Sequence, residues 1–248
     1  MIGADALSAS GLDIDAEHGR DLAAASLALA RRFADGATMW CIAPSWPQHA
    51  RHVAVEFVHP VIVGKRALPA VAVTGPQPVG ELRSVVRAGD MLCAISTVDE
   101  PVVVDALRRA PAWGLETLWM GWGRRPPSGA AGHVLFVADR DGYAPYDGSL
   151  VLRYHVLWEL AHVCFEHPGL VRPRGASDDA PDACITCADE GRVGEVVAGI
   201  AAGDAMVRTA RGLESVDVTL VGPVHTGDLL LVHAGAAIAL LDTEPGHD

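Results

Sequence analysis

Residues 37–58, ATMWCIAPSWPQHARHVAVEFV, hold side by side the two periodicities that decide the fold. ATMWCIA is a short, almost wholly apolar run of the length of a buried strand. From Pro47 to Val58 the apolar residues return every three or four positions, as they do along one side of a helix. A buried strand that passes directly into an amphipathic helix is half of a strand–helix–strand unit.

The same alternation continues outward in both directions. Upstream, residues 14–34 place Leu22, Leu27, Leu29 and Phe33 at helical spacing behind Asp15 and Glu17, acidic residues that favour a helix N-terminus. Downstream, ALPAVAVTG reads as a second strand and residues 79–87 as a helix. The turn Ala88-Gly89-Asp90 leads into the strand MLCAIST. VVVDALRRAPAWG is an amphipathic helix ended by Gly114, and LETLWMGW and HVLFVAD are two further strands. A long helix from Ser149 to His167, stopped by Pro168, closes the pattern. Strands alternating with helices predict an α/β fold with a doubly wound parallel sheet over residues 1–167.

Residues 168–183, PGLVRPRGASDDAPDA, are dense in Pro, Gly, Ser and Asp and read as a linker. Beyond it, GRVGEVV, AMVRTA, SVDVTLVG and DLLLVHAG are short β-prone runs separated by glycine-containing turns. They predict a small all-β barrel or sandwich over residues 184–248.

Composition restricts the function classes. With 31 Asp and Glu against 19 Lys and Arg, the formal net charge of −12 argues against nucleic acid and against anionic membrane surfaces. A mean hydropathy of +0.24 with 20% charged residues describes a chain able to bury a core. No run reaches the roughly eighteen apolar residues of a membrane span, and the N-terminal residues show no export signal, so a cytoplasmic location is expected. Five cysteines are an odd number that does not form a disulfide framework. Cys41, Cys93 and Cys164 sit in apolar or helical runs and read as buried hydrophobes. Cys184 and Cys187, in a polar segment, need another explanation.

His52 and Glu56 lie four residues apart on a helix and therefore on one face. An imidazole and a carboxylate presented together suit a divalent metal such as zinc, and the same spacing also fits a surface pair or a core histidine. His155 faces Glu159 and His162 at helical spacing, so a structural cluster there is an alternative to a ligand role.

The order helix, WCIAPSWPQHARHVAVEF, RALPAVAV, GDMLCAISTVDEPVVVDALRRA and YHVLWELAHV resembles the SIS domain of the phosphoheptose isomerase group over about residues 14–167. In that family a helix contributes a histidine and a glutamate to the active site, and the last helix a glutamine and, eight positions on, a histidine. The resemblance places these roles on His52, Glu56, Asp147 and His155, a four-ligand zinc site that in an isomerase also moves protons between sugar carbons. It likewise points to Ser45, Ser96 and Thr97 as ligand-binding residues. It implies a homodimer or homotetramer formed through this domain.

The phosphate-binding loops depart from the family pattern. The first is Ala43-Pro44-Ser45-Trp46-Pro47, where two prolines remove two backbone amides and Trp46 fills space that a ligand would need. In the second, Ile95-Ser96-Thr97 is followed by Val98-Asp99-Glu100-Pro101 instead of glycine and serines, setting two carboxylates beside any phosphate. Sugar-phosphate isomerisation by His52, Glu56 and His155 is therefore the alternative reading and not the first one.

CITCADEGRVGEVV with SVDVTLVGPVHTGDLLLVHAGAAIALLD resembles the HypC/HupF hydrogenase maturation chaperones over nearly the whole small domain, which implies an OB-like barrel. In that family a leading cysteine and a histidine hold an iron carrying cyanide and carbon monoxide. A partner maturase helps pass that iron to the hydrogenase large-subunit precursor. The matching residues are Cys184 and His233, a soft thiolate and an imidazole that low-spin iron accepts. Cys187 completes a Cys-x-x-Cys pair and is a further candidate ligand; the pair also fits a redox couple or half of a zinc site. Cys184 is internal and Glu190 stands where a proline is common, both departures from the family. His225 reads as a solvated turn residue. The function expected from these resemblances is [NiFe]-hydrogenase maturation, with an SIS-like domain for oligomerisation or ligand sensing.

Overall fold

The computed structural model describes residues 16–60, 62, 64–139, 146, 148–171, 191–199 and 203–241. The described chain divides into two compact units, one of residues 16–85, 90–107 and 116–171 and one of residues 86–89, 108–115 and 191–241.

The first unit is built on five strands: β1 (Met39–Ile42), β2 (Ala70–Val73), β3 (Met91–Ile95), β4 (Glu116–Trp122) and β5 (His133–Val137). They form one all-parallel sheet in the order β2-β1-β3-β4-β5, with pairs such as Cys41↔Cys93 and Ile95↔Met120 setting the register. The helices are α1 (Ala16–Ala34), α2 (Pro47–Val58), α3 (Pro78–Val85), α4 (Pro101–Arg109), α5 (Ser149–Glu166) and a single turn, α6 (Pro168–Val171).

Local chemistry accounts for these boundaries. Leu22, Leu29 and Phe33 give α1 its buried stripe, with Glu17 in its first turn and Arg31 and Arg32 in its last, charges that complement the helix dipole. Helix α2 opens with Pro47, whose missing N–H would have had no intrahelical partner there. It buries Ala50, Val53, Ala54 and Phe57, which leaves His52 and Glu56 on its half-buried flank.

One core joins α1, α2 and α5 to alternate sheet residues, among them Cys41, Cys93, Ile95, Met120, Trp122 and Val137. The intervening residues Leu92, Ala94, Trp119 and Phe136 are also buried, so both faces of the sheet are covered, as a parallel sheet requires. Burying a side chain such as Phe57 or Leu157 contributes about 1.5–3 kcal/mol. Cys41, Cys93 and Cys164 are buried and free. The neighbouring Cys93 sulfur and burial push the Cys41 thiol well above its ordinary range, which suits a packing role and not a nucleophilic one.

Three expectations change. Helix α4 stops at Arg109 and not at Gly114, because Pro111 has no N–H and its ring clashes with the carbonyl four residues back. Residues 110–114 form tight turns instead, with Gly114 at φ 74°. The segment expected to be a linker from residue 168 begins as α6, where Pro168 is tolerated at a helix start and Arg31 Nε donates to the Leu170 carbonyl at 3.1 Å. The strand expected in SVDVTLVG ends at Asp217, whose Oδ1 accepts from the Thr219 N–H (2.8 Å) and hydroxyl (2.6 Å) and turns the chain.

The second unit carries β6 (Arg192–Gly199), β7 (Asp204–Thr209), β8 (Gly212–Asp217), β9 (Leu229–His233) and β10 (Ala236–Leu240). They close into a barrel in the order β10-β8-β7-β6-β9, with β10 parallel to β8 and the other pairs antiparallel. Val196, Val207, Val216, Leu230, Val232 and Ala237 fill it. Within this unit the buried Glu195 carboxylate accepts from Arg109 Nη1 and Trp113 Nε1, each at 2.8 Å, which satisfies a charge that would be costly alone. Among the described residues no helix is long and apolar enough to cross a membrane.

Candidate functional site

The strand order reverses between β1 and β3, the switch point at whose carboxyl ends open α/β sheets generally bind ligands. The loops that follow these two strands are Ala43-Pro44-Ser45-Trp46-Pro47 and the segment from Ser96 to Pro101. They do not present an open anion cradle. Ser45 Oγ donates to Glu100 Oε1 at 2.8 Å, so a carboxylate already occupies the hydroxyl that a phosphate would need. Ser96 is fully buried; its hydroxyl donates to the Thr97 carbonyl (2.8 Å) and accepts from Trp119 Nε1 (3.0 Å). Asp99 accepts from Arg124 Nη2 at 3.0 Å. Trp46 packs edge-on against Trp122 and Tyr146, at 6.0 and 4.9 Å between ring centroids.

Helices α2 and α5 bring together His52, Glu56 and His155. His52 Nε2 and His155 Nε2 each lie 3.3 Å from Glu56 Oε1, and the two nitrogens are 3.3 Å apart. The three donor atoms therefore form a nearly equilateral triangle. A zinc ion with bonds of about 2.05 Å in tetrahedral geometry has donor–donor edges of about 3.3 Å, so the triangle matches one face of such a shell. Two imidazoles and a carboxylate are also a donor set that zinc accepts, and three protein donors leave a fourth position for water or substrate. The side chains of His52 and His155 are 41% exposed and that of Glu56 19%, so the group can be reached from solvent.

Tyr154, one residue before His155, is fully buried and places its phenol oxygen 2.6 Å from His52 Nδ1. Burial, and then the Glu56 carboxylate, pushes this phenol far above its ordinary value, so it remains a neutral hydrogen-bonding group. Tyr154 is a member of the site that the spacing of histidines and carboxylates does not reveal. The signal available was a tyrosine on the apolar side of a long helix, whose hydroxyl must find a partner when buried.

Glu159 and His162 do not join His155. Glu159 pairs with Lys65 at 3.5 Å, and the His162 ring nitrogens lie 2.9 Å from the Trp158 carbonyl and 3.0 Å from that of Arg66. Asp147, Cys184 and Cys187 lie outside the described residues. His233 is the half-buried last residue of β9, ahead of Ala234 and Gly235 at φ 48° and 83° in the turn to β10. His225 is exposed in its turn, with its N–H donating to Asp228 Oδ2 at 2.7 Å.

The sequence matches no family model and no curated protein. Solved structures do match. A phosphoheptose isomerase from Francisella tularensis aligns with a TM-score of 0.51 at 16% identity, covering 64% of this chain and 92% of that one. The first unit has the SIS fold. The phosphoheptose isomerase GmhA from Neisseria gonorrhoeae is similar at 18% identity and TM-score 0.48, over 63% of this chain and 91% of that one. The sugar isomerase domain of an RpiR transcription factor from Sphaerobacter thermophilus is similar at 17% identity and TM-score 0.47, over 67% and 88%. A shared fold does not fix function, which rests on the chemistry of the site itself.

Proposed function

We propose that this chain is a maturation chaperone for a [NiFe]-hydrogenase, joined to an SIS-like domain that holds a divalent metal and does not isomerise sugar phosphates. The observation that carries the chaperone reading is the position of His233 at the end of β9, in the hairpin of a closed five-stranded barrel. That architecture is compatible with the OB-like barrel implied by the HypC/HupF resemblance, and the hairpin is where the resemblance puts an iron ligand. In this reading Cys184 and His233 hold an iron bearing cyanide and carbon monoxide as cargo, with Cys187 as a further thiolate. The partners are a maturase and the hydrogenase large-subunit precursor. The thiolate supplies the soft donor and the imidazole a neutral one.

The test is an anaerobic affinity pull-down of the full chain from cells expressing a hydrogenase, beside Cys184→Ala and His233→Ala. Recovery of a maturase or a large-subunit precursor with the unaltered chain, and loss of iron from both variants, is the expected result. Absence of both partners under conditions in which an authentic chaperone retrieves them overturns the reading.

The His52–Glu56–His155 triangle favours a second reading, a zinc-dependent isomerase. There the two imidazoles and the carboxylate would hold the ion, which on binding polarises a carbonyl oxygen. The Ser45–Glu100 bond weighs against a phosphorylated substrate, because ejecting a carboxylate or placing a dianion beside it is unfavourable. Turnover of sedoheptulose 7-phosphate that disappears in Glu56→Gln would establish this reading over the first for the SIS-like domain.

A further inference from the structure

An imidazole has two ring nitrogens and, when neutral, one proton, so what one nitrogen does fixes what the other can do. In His52 the two nitrogens face different partners. Nε2 is directed at Glu56 and His155, each at 3.3 Å, and Nδ1 is directed at the Tyr154 phenol oxygen at 2.6 Å. A lone pair on Nε2 can serve a cation only if the proton sits on Nδ1, and the acceptor within reach there is the Tyr154 oxygen. A phenol suits both states, because it carries one donor and acceptor lone pairs.

The oxygen is also firmly placed. Tyr154 is fully buried, and its ring meets the His52 and His155 rings edge-on at 5.1 and 5.3 Å, with interplanar angles of 75° and 84°. It precedes His155 on α5, so a single turn of helix positions a donor and the group that would support the opposite donor.

We propose that Tyr154 is a positioning residue which lets His52 exchange tautomers as the site loads. Without metal, the phenol O–H donates to Nδ1 and Nε2–H donates to Glu56. With metal, Nδ1–H donates to the phenol oxygen and Nε2 presents its lone pair to the cation. The proton count of His52 does not change: one proton leaves Nε2 and one arrives at Nδ1 by exchange with water, while the phenol keeps its proton and rotates it away. This inference rests on the reading of His52, Glu56 and His155 as a zinc site.

The experiment uses the full chain, stripped by a chelator, as wild type and as Tyr154→Phe, which keeps the ring and removes the oxygen. Zinc affinity is measured by competition with a chromophoric chelator, and the His52 tautomer by long-range proton–nitrogen correlation on histidine-labelled protein. Expected are Nε2–H in metal-free wild type, Nδ1–H after zinc, and a zinc affinity about 10–100-fold weaker in Tyr154→Phe, the usual effect of losing a group that orients a ligand. Equal affinity in the two proteins, with zinc bound by the wild type, overturns the role of Tyr154 and leaves the zinc site standing. An Nδ1–H tautomer already present in metal-free wild type does the same without depending on how the variant folds. No zinc binding by the wild type overturns the site and this inference together.

Discussion

Ser45 and Glu100, on the loops that follow β1 and β3, are joined by a hydrogen bond of 2.8 Å. The carboxylate stands beside the hydroxyl that would greet an anion, and Asp99, the next acidic residue, is itself paired with Arg124. Glu100→Gln keeps a partner for Ser45 and removes the charge. A gain of roughly tenfold or more in affinity for inorganic phosphate, measured by calorimetry, is expected from removing a negative charge close to a dianion. Unchanged phosphate binding would show that Glu100 does not govern anion access.

The triangle of His52, Glu56 and His155 predicts about one zinc per chain, falling to a small fraction in His155→Ala, by elemental analysis of dialysed protein. Zinc should also raise the melting temperature of the wild type and not of the variant. At a free concentration a hundred times the dissociation constant, the gain is about 2.7 kcal/mol. Zinc content unaffected by His155→Ala would place the metal elsewhere.

Much of this arrangement was legible from residue pattern. Strand–helix alternation gave the parallel sheet, and the i,i+4 spacing put His52 and Glu56 on one flank of α2. Spacing alone left open whether that flank held a site, because the third member, His155, is brought in by α5 from a hundred residues away. Tyr154 escaped for a different reason: a buried aromatic on an apolar helix face looks like core until the histidine opposite its hydroxyl is placed. The early end of α4 was readable from Pro111, but the amphipathic run through Trp113 outweighed it. Trp113 is indeed buried, yet its indole N–H bonds to Glu195 from a turn and not from a helix.

Gly121 is required by the second loop. A Cβ added there would lie 1.9 Å from the Ser96 carbonyl oxygen and 2.7 Å from Phe136 Cζ, so β4 and the loop after β3 approach too closely for any side chain. Because one of those neighbours is backbone, Gly121→Ala should destabilise the domain by about 1–3 kcal/mol through overpacking. Urea denaturation followed by tryptophan fluorescence measures it. A change below about 0.5 kcal/mol, the range of ordinary surface substitutions, would mean that the loop gives way without cost.

In the barrel, Arg192 grips Glu214 with two bonds, Nε to Oε1 at 3.1 Å and Nη2 to Oε2 at 2.5 Å. The Arg192 hydrogen bonds outweigh burial and lower the Glu214 carboxyl below its ordinary value of 4.5. A carboxyl whose folded value is depressed contributes stability that is complete above its unfolded value and is lost as pH falls through the folded one. Glu214→Gln should therefore cost stability at pH 7, by about 0.5–1 kcal/mol for a partly exposed bidentate pair, and the difference from wild type should close as the pH falls below the ordinary carboxyl value of 4.5 and through the depressed one. Thermal melts of the two proteins between pH 7 and pH 3 measure this. A gap that stays constant across that range would assign the loss to packing of the side chain and not to the ion pair.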